Sequence, residues 1–388
     1  MKIIYIAWIV FQFMISVNLF LPTLTYIMSI IRRKKENFRD APRQRDFAVI
    51  VTAYEQTNLL HSVVKSILDL EYKNYTIYVV ADNCDISNLE FNSEKVILLR
   101  PANILASNVK SHFYAINRFV RVHECLTIID SDNIVDSSFL KEMNRVFESG
   151  YEAVQGHRKA KNLNTTFACL DEAGDMYYRF IDRKLPFAVN SSASLAGSGM
   201  GFTTALYKDC LEFSSIEGAG FDKALQIELL KRGKRIAFAE NAIVYDEKTS
   251  KADQLIKQRA RWINTWFKYC ENGLQLMFMG LLGLNWNQFL VGVVFTRPPL
   301  FILVFLVVIN LVLDFFFLPM MVIYWIFILS SFLFVFFMSL QYFGATKSIY
   351  LALSKVPVFI FYQVISLLKS KRANQLSTST KHYVDEGP

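Results

Sequence analysis

Two aspartates that are separated by one residue, Asp130 and Asp132, directly follow a short apolar run of the chain. Carboxylate oxygens are hard ligands that suit Mg²⁺ or Mn²⁺, and a pair of them leaves coordination positions for phosphate oxygens. A divalent cation held in this way neutralises the charge that develops on a departing diphosphate. Because Asp-x-Asp triplets are common, the pair indicates metal-assisted phosphate chemistry only together with other features.

Further carboxylates follow other apolar runs, where the chain is expected to leave a strand or to enter a helix. Thr52, Tyr54 and Glu55 come after the first run, and Asp82 comes after the second. Asp222 opens a helical pattern downstream of a glycine-rich stretch. Each aspartate by itself is also explained as a helix cap or turn residue. Together they favour a site for a divalent cation and a sugar nucleotide.

A third cluster is the segment Gln-Arg-Ala-Arg-Trp, which lies in a helical pattern before the second apolar region of the chain. Gln258, Arg261 and Trp262 fall at positions i, i+3 and i+4, so they share one helix face. The planar guanidinium suits a diphosphate, and the indole offers a flat surface for a sugar ring. The alternative is a helix anchored at the membrane surface. We assign three neighbouring residues to that alternative: Arg259, Trp266 and Lys268.

The elements that must position these residues alternate between apolar strands and amphipathic helices. Strands are predicted over residues 47–52, 75–81, 96–99 and 126–129, with helices over 59–68 and 109–118. Strands and helices that alternate in this way predict a parallel α/β sheet. Ligands of such sheets bind at the carboxyl ends of the strands, which is where the polar residues lie.

Composition places only part of the chain in water. Of the 388 residues, 53% are hydrophobic, above the usual range for soluble proteins, yet 20% are charged. These values exclude a disordered chain and a pure membrane bundle. The net charge of +8 suits an anionic membrane surface, since no nucleic-acid-binding motif accompanies it. The five cysteines form no C-x-x-C pair, and the five histidines show no metal-ligand spacing.

The first apolar stretch, residues 3–31, carries no charge and is long enough to span a bilayer of about 30 Å. A cleaved signal peptide is the alternative, but the stretch is longer than a signal-peptide core. The basic residues that follow predict a cytoplasmic flank, and therefore a cytoplasmic polar domain at the cell membrane.

Towards the other end, residues 298–346 contain a single charged residue, Asp314. This pattern predicts two membrane helices, about 300–313 and 320–342, with Asp314 at the outer interface in the turn between them. Residues 272–297 and 348–368 carry polar groups, which favour helices lying in the membrane interface. The predicted organisation has six parts: a membrane helix (1–31), a basic linker (32–45), the α/β domain (46–271), an interfacial helix region (272–297), two membrane helices (298–346), and an interfacial helix with a cytosolic tail (347–388).

In order and spacing, the segments VIVTAYEQ, VVADNCD, IIDSDNIVDSSFL, GSGMGF, GFDKALQIELLKRG and QRARW resemble family 2 glycosyltransferases of the membrane-embedded polysaccharide-synthase type. The resemblance covers roughly residues 47–262, and of the single motifs only Q-x-x-R-W is fairly specific. It implies a GT-A fold, which is a Rossmann-like α/β domain, with helical membrane segments. It also implies Mg²⁺ or Mn²⁺ as cofactor and a UDP-sugar as donor.

The resemblance further implies roles for single residues. Donor-binding roles fall on Thr52, Tyr54, Glu55, Asp82, Lys110 and Asp130, with Tyr54 and Glu55 near the base and ribose and Asp82 on the uracil ring. Asp132, with Asp130, is implied as the metal ligand, and Asp222 as the general base. Contacts to the diphosphate and acceptor are implied for Gly199, Gln258, Arg261 and Trp262. Two positions depart from the family pattern: Phe221 replaces the usual acidic residue before the base, and the Lys110 region lacks the expected glycine.

The implied reaction is an inverting transfer that extends a polysaccharide through β-linkages. Transfer of one sugar to a lipid acceptor, such as a polyprenyl phosphate or a sphingolipid, is the first alternative, because few membrane helices are available for a channel. An inactive scaffold subunit is a second alternative, since a fold alone never establishes activity. The sequence leaves open a homo-oligomer or an export partner.

Overall fold

The structure is a computed structural model, and it describes residues 2–32, 38, 42–212 and 220–373. Most of the predicted basic linker and the tail from residue 374 lie outside the described residues. The core of the α/β domain is one eight-stranded sheet in the order β3-β2-β1-β4-β7-β6-β8-β5. Its strands are β1 (Phe47–Tyr54), β2 (Tyr75–Asp82), β3 (Val96–Leu99), β4 (Cys125–Asp130), β5 (Ile134–Val135), β6 (Ala153–Ala160), β7 (Met200–Thr203) and β8 (Ile236–Asp246).

The sheet is mixed, so the prediction of a parallel sheet was right for only one half of it. Strands β3, β2, β1 and β4 run parallel to one another, whereas β7 is antiparallel to both β4 and β6. The parallel half contains the strands that the alternation predicted. The short β7 follows a glycine-rich loop, and its four residues give no periodic signal of direction.

Helices cover both faces of the sheet and bury its apolar residues in one core. These helices are α2 (Leu60–Leu68), α3 (Asn108–Ile116), α4 (Phe139–Glu148), α5 (Thr166–Arg179), α6 (Leu185–Ala188), α7 (Thr204–Leu211) and α8 (Phe221–Lys231). Between α5 and α6 the chain forms a single π-helical turn, Phe180–Lys184, which we call the π segment.

A long helix, α9 (Ala252–Leu282), leaves the α/β domain, and the chain folds back through α10 (Trp286–Thr296). The boundary predicted at residue 271 therefore falls inside one continuous helix. Close packing of the two helices depends on glycine: a Cβ added at Gly280 would lie 2.7 Å from Phe289 Cα, and one at Gly292 would lie 2.7 Å from Met277 Cα. Leu282 and Leu284, near the tip of this hairpin, are largely exposed.

Four stretches of the described residues are long and apolar enough to cross a membrane, judged by length and composition. They are Tyr5–Arg32 within α1 (Lys2–Arg32), α11 (Leu300–Phe317), α12 (Pro319–Tyr342) and the stretch Lys347–Lys369. The last comprises α13 (Lys347–Ala352), a 3₁₀ turn and α14 (Val356–Lys369). It was predicted to lie in the interface, and its length and composition are also sufficient for a span.

Asp314 differs from its prediction. It lies within the last turn of α11, and only Leu318 separates α11 from α12. Its side chain is fully buried and accepts hydrogen bonds from Gln12 Nε2 (2.9 Å), Trp325 Nε1 (3.0 Å) and Trp8 Nε1 (3.3 Å). Three hydrogen-bond donors from two helices, α1 and α12, therefore compensate the charge, whereas the sequence predicted that Asp314 lies in the turn at the outer interface.

Candidate active site

The strand register brings the first group of predicted residues to one edge of the sheet. Thr52 pairs with Asp130 on β4, and Tyr54 pairs with Asp82 on β2. Since the three strands are parallel, their carboxyl ends meet at this edge. The arrangement agrees with the sequence-based expectation that these side chains lie close together.

A buried serine and two glycines shape the chain beside Asp130. The Asp130 N–H donates to Ser198 Oγ (3.1 Å), and the Gly199 N–H donates to the Ile128 carbonyl (2.9 Å). Gly197 and Gly199 both have positive φ, and a Cβ on Gly199 would lie 2.9 Å from Val244 Cγ2. Only glycine fits this turn without strain, and the turn presses the loop against the end of β4.

Asp132 lies in the turn after β4, and its Oδ1 accepts a hydrogen bond from Asn133 Nδ2 (3.1 Å). Asn133 is buried, and its Oδ1 has no hydrogen-bond partner among the described residues. Within the described part of the chain, no group of three or more His, Cys, Asp or Glu side chains could hold a metal ion by itself. The two carboxylates beside a buried amide oxygen without a partner nevertheless fit a hard cation that takes its remaining ligands from a nucleotide diphosphate.

The other end of the edge is built around Asp82, whose side chain is only 2% exposed. Its two oxygens accept hydrogen bonds from the backbone N–H groups of Leu105 (3.0 Å) and Ala106 (2.8 Å). The loop fixed in this way leads directly into α3, which carries Lys110 on its exposed first turn. Asp82 therefore has a structural contact that the sequence did not predict, in addition to its implied contact with a base.

Glu55 and Asn83 stand at the ends of β1 and β2, and both have positive φ. The backbone N–H of Glu55 donates to the Asp82 carbonyl (3.2 Å), and Asn83 Nδ2 donates to Glu55 Oε1 (3.3 Å). Desolvation is the largest cause that raises the pKa of the Tyr54 phenol, and the nearby charges of Glu55 and Asp82 raise it further. Non-glycine residues in this backbone region are strained and cluster at functional sites.

Asp222 is the second residue of α8, which begins after Gly220 in a left-handed conformation. A Cβ on Gly220 would lie 2.8 Å from Thr265 Cγ2 and 2.9 Å from Tyr269 Cε2, so the start of α8 packs directly on α9. Thr265 Oγ1 donates to the Arg261 carbonyl (2.9 Å). The start of α8, which carries the predicted base, therefore packs on α9 one helical turn beyond Arg261.

A chain of hydrogen bonds ties α8 to the Asp-x-Asp edge through the loop that precedes β7. The Leu195 N–H donates to Gln226 Oε1 on α8 (3.0 Å), and the Ala196 N–H donates to Gln155 Oε1 on β6 (2.8 Å). Ser198, which accepts from Asp130, follows two residues later. Through these bonds the loop, which contains Gly199, joins the helix that carries Asp222 to the strand that ends at Asp130.

The Q-x-x-R-W face of α9 has both buried and exposed parts. Burial lowers the pKa of the Arg261 guanidinium, so an anion beside it would be stabilised in a partly desolvated setting. Gln258 Oε1 is buried without a hydrogen-bond partner among the described residues, whereas Trp262 is 43% exposed. These properties suit a helix face that binds a polar ligand.

The prediction that Arg259 anchors the chain at the membrane surface was wrong. Arg259 is buried, forms an ion pair with Asp171 on α5, and stacks its guanidinium 4.2 Å from the centre of the Trp262 ring. Asp171 also accepts from Thr249 Oγ1 (2.9 Å). Arg259 therefore links α9 to α5 and contacts the face of the Trp262 ring through a cation–π interaction.

Sequence reasoning missed a group of buried charges between α5, β6, β8 and α9, which we call the inner charge cluster. Its members are Arg158, Asp171, Glu172, Asp175, Arg179, Arg183, Asp246, Lys248 and Arg259. One signal was present: Asp171, Asp175 and Arg179 recur every four residues along α5, where a buried helix face is expected to be apolar.

With this geometry established, comparison with known proteins assigns the chain to a family. The family described as "Glycosyltransferase like family 2" matches residues 42–265, which is more than half of the chain, so the protein belongs to the family 2 glycosyltransferases. Its fold is GT-A and its activity is that of a glycosyltransferase. Comparison with curated protein sequences gave no match.

One solved structure with a TM-score above 0.5 supports the same fold. A mannosyltransferase, PcManGT from Pyrobaculum calidifontis in complex with GDP-Man and Mn²⁺, is similar with a TM-score of 0.56 and 11% identity, and the match covers 92% of this chain and 96% of that chain. TarS residues 1–349 from S. aureus matches with a TM-score of 0.39 and 15% identity, covering 59% of this chain and 65% of that chain. Its complex with UDP-GlcNAc gives 0.40 and 15%, covering 59% and 66%.

Proposed function

We propose that this protein is a membrane-bound inverting glycosyltransferase that moves a sugar from a UDP-sugar to a growing polysaccharide and forms a β-linkage. The observation that carries the proposal is the packing of the start of α8 on α9, beside Thr265 and Tyr269. It brings the start of α8, which carries Asp222, to the helix that carries Arg261, while the loop before β7 forms hydrogen bonds with both Gln226 of α8 and the backbone of Asp130.

Four residues divide the chemistry of this proposal. Asp222 takes the proton of the acceptor hydroxyl, and the hydroxyl oxygen forms a bond to the anomeric carbon. The bond from that carbon to the diphosphate breaks, and its electron pair leaves with UDP. Attack from the face opposite the leaving group inverts the anomeric centre. Arg261 stabilises the negative charge that grows on the diphosphate, and Asp130 and Asp132 hold the nucleotide end in position.

We further propose that Asp132 and Asp130 hold a divalent cation, Mg²⁺ or Mn²⁺. The Mn²⁺ in the PcManGT complex supports this proposal, as does the fit of the two carboxylates described above. When bound, such an ion supplies Lewis-acid stabilisation of the departing diphosphate.

The test is UDP release from a panel of UDP-sugars by the full-length protein in nanodiscs, with and without Mg²⁺ or Mn²⁺. We expect metal-dependent release with one sugar, and a loss of at least about a hundredfold in kcat for Asp222→Asn, the range of general-base contributions. Asp132→Asn is expected to abolish the metal dependence. Asp209→Asn is the matched control, because the Asp209 side chain is exposed on α7. Normal turnover by Asp222→Asn with intact UDP binding would show that Asp222 is not the base.

We also propose that the catalytic domain faces the cytoplasm. The basic residues that follow α1 support this orientation. In a Cys270→Ser background, whose remaining four cysteines are buried, Met320→Cys in the first turn of α12 should react with a membrane-impermeant maleimide on intact cells. A cysteine replacing Ser149 should react only after lysis. The reverse pattern would contradict this orientation.

Transfer of a single sugar to a lipid acceptor remains the second candidate function. The observation that favours it is the small membrane region, because only four stretches of the described residues qualify as spans. Product size separates the two functions: a lipid carrying one added sugar supports the second candidate, whereas a ladder of products supports the first.

A further inference from the structure

The π segment Phe180–Lys184 lies where the catalytic domain meets the membrane helices. Phe180 and Ile181 pack in one apolar cluster with residues of α1, α11 and α12, among them Leu19, Leu303 and Trp325. On its other side, the Lys184 ammonium pairs with Glu240 on β8 (2.7 Å). Single π-helical turns inside α-helices are rare and are frequently found at functional sites.

The charges around this segment are almost completely paired. Asp182 pairs with Arg297 (2.5 Å), Arg158 with Asp246 (2.5 Å) and Arg179 with Glu172 (3.1 Å). Lys248 contacts Asp175, Glu172 and Asp246, and Arg259 contacts Asp171. Each acidic residue of the inner charge cluster is therefore already bound by a cation other than Arg183.

Arg183 is the exception in this cluster. Among the described residues it forms no ion pair and no hydrogen bond, and its Nε is buried without a partner. Desolvation, the largest cause, lowers the pKa of Arg183 to about 10, although Asp175 acts in the opposite direction. Arg183 is half-buried, and among the described residues no carboxylate binds it, so an incoming anion would stabilise its guanidinium, whose planar fork can hold the anion through two hydrogen bonds.

Arg183 lies in the π segment, whose Phe180 and Ile181 pack against the membrane helices. It interacts electrostatically with Arg158 and Arg179, and Arg158 in turn interacts with Asp130 of the Asp-x-Asp pair. Arg183 and Asp130 of the predicted donor site therefore have Arg158 as a common electrostatic neighbour, and the helical turn of Arg183 packs into the membrane bundle.

We propose that Arg183 binds the phosphate ester of a membrane-borne acceptor, so that the acceptor is a saccharide carried on a lipid phosphate. The phosphate rests on Arg183 while a sugar hydroxyl of the same molecule reaches Asp222, and no bond to phosphorus forms or breaks at Arg183. A lipid source is favoured because the residues next to Arg183 pack into the membrane bundle. This proposal rests on the proposed glycosyltransferase function, since it names the acceptor of that site.

Equilibrium binding of farnesyl phosphate to the full-length protein in detergent tests the proposal without any donor sugar. We expect farnesyl phosphate to bind and farnesol, the same chain without the phosphate, not to bind. Arg183→Gln should weaken binding about tenfold or more, as expected for the loss of hydrogen bonds to a charged group, and Arg183→Lys should fall between the two. Arg232→Gln, at the far end of α8 from Asp222, is the matched control and should bind normally.

Three outcomes would overturn the proposal. Equal binding of farnesyl phosphate by the wild type and by a folded Arg183→Gln variant would show that Arg183 does not hold the phosphate. Equal affinity for inorganic phosphate and farnesyl phosphate would show that the lipid chain is not recognised. Binding of a uronic acid oligosaccharide without binding of farnesyl phosphate would show that the site recognises a carboxylate instead of a phosphate. Should Arg183→Gln fail to fold, Arg183→Lys and the comparison of farnesyl phosphate with farnesol still decide. Because UDP release is measured separately, a failure of the proposed transferase function is distinguished from a failure of this acceptor site.

Discussion

At the scale of single residues, the active-site edge contains side chains with more than one task. Asp82 stands where a nucleotide base is expected, yet both of its oxygens already accept backbone hydrogen bonds from the loop that leads to α3. A carboxylate oxygen has more than one lone pair, so these bonds leave acceptor capacity for a base. The same residue can therefore shape the donor site and contact the donor.

Asp82→Asn tests this double role. The amide presents one donor group towards the N–H of Leu105 or Ala106, so the loop before α3 loses a contact. We expect the KM for the donor to rise about tenfold, in line with roughly 1–3 kcal/mol for a buried group left unsatisfied, with a smaller change in kcat. Asp85→Asn is the control, since exposed Asp85 bonds only Ser87. An unchanged KM for Asp82→Asn would rule out both tasks.

Arg259 shows how a charged residue can be assigned to the wrong environment. An anchor at the membrane surface predicts that Arg259→Gln weakens membrane association and leaves stability unchanged. The ion pair with Asp171 predicts the opposite, because the variant leaves Asp171 buried without its cation. We expect a loss of about 3–5 kcal/mol, typical of a broken buried pair, measured by thermal or denaturant unfolding. Lys268→Gln, on an exposed part of α9, should remain close to wild type.

At the scale of elements, the packing of α9 against α10 depends on glycines that the sequence does not mark as special. The Cβ added in Gly280→Ala would collide with the backbone of Phe289, which cannot move without separating the helices. We expect destabilisation of about 1–3 kcal/mol, the usual cost of overpacking, seen as a lower unfolding temperature. The start of α8 packs on α9, so activity should fall as well.

Gly174→Ala, within α5, is the matched comparison. A Cβ there meets nothing within 4 Å, so the variant should be stabilised by about 0.5–1 kcal/mol through the higher helix propensity of alanine. Equal effects of the Gly280 and Gly174 variants would show that the contact between α9 and α10 is loose.

At the scale of the whole molecule, the membrane helices assemble around Asp314. Donors from α1 and α12 converge on this carboxylate, although α1 is separated from it by about three hundred residues of sequence. A buried ionisable group in a membrane bundle is costly unless it is paired or hydrogen-bonded. The contact therefore fixes α1 against the two C-terminal helices.

Asp314→Ala should loosen α1 from the bundle. The variant leaves the N–H groups of Trp8, Gln12 and Trp325 without this acceptor, and we expect a loss of about 2–4 kcal/mol in detergent, from buried donors left unsatisfied. Asp314→Asn keeps one acceptor oxygen and should lose less. Asn18→Ala is the control, because Asn18 bonds only the backbone of its own helix. Equal stability of Asp314→Ala and the control would contradict this account.

The two halves of the sheet differ in how well the sequence predicts them. The strands β1 to β4 were predicted within about two residues because long apolar runs bounded by polar residues have a local cause. Their register then brings Thr52, Asp130, Tyr54 and Asp82 together, because polar residues that follow parallel strands share one edge. The antiparallel β7 was not predicted, since the direction of a short strand depends on the chain around it.

The sequence by itself determined the first four strands of the sheet, the polar residues that follow them, and the apolar stretches long enough for a membrane. These are local properties of residue type and spacing. Only the tertiary structure decided which charges are paired: it buried Arg259 on Asp171 and Asp314 among three donors, and it left Arg183 without a carboxylate. The physical reason is that the environment of a charge is set by residues far away in sequence, and a charge in water and one in a buried pair look alike in a linear chain.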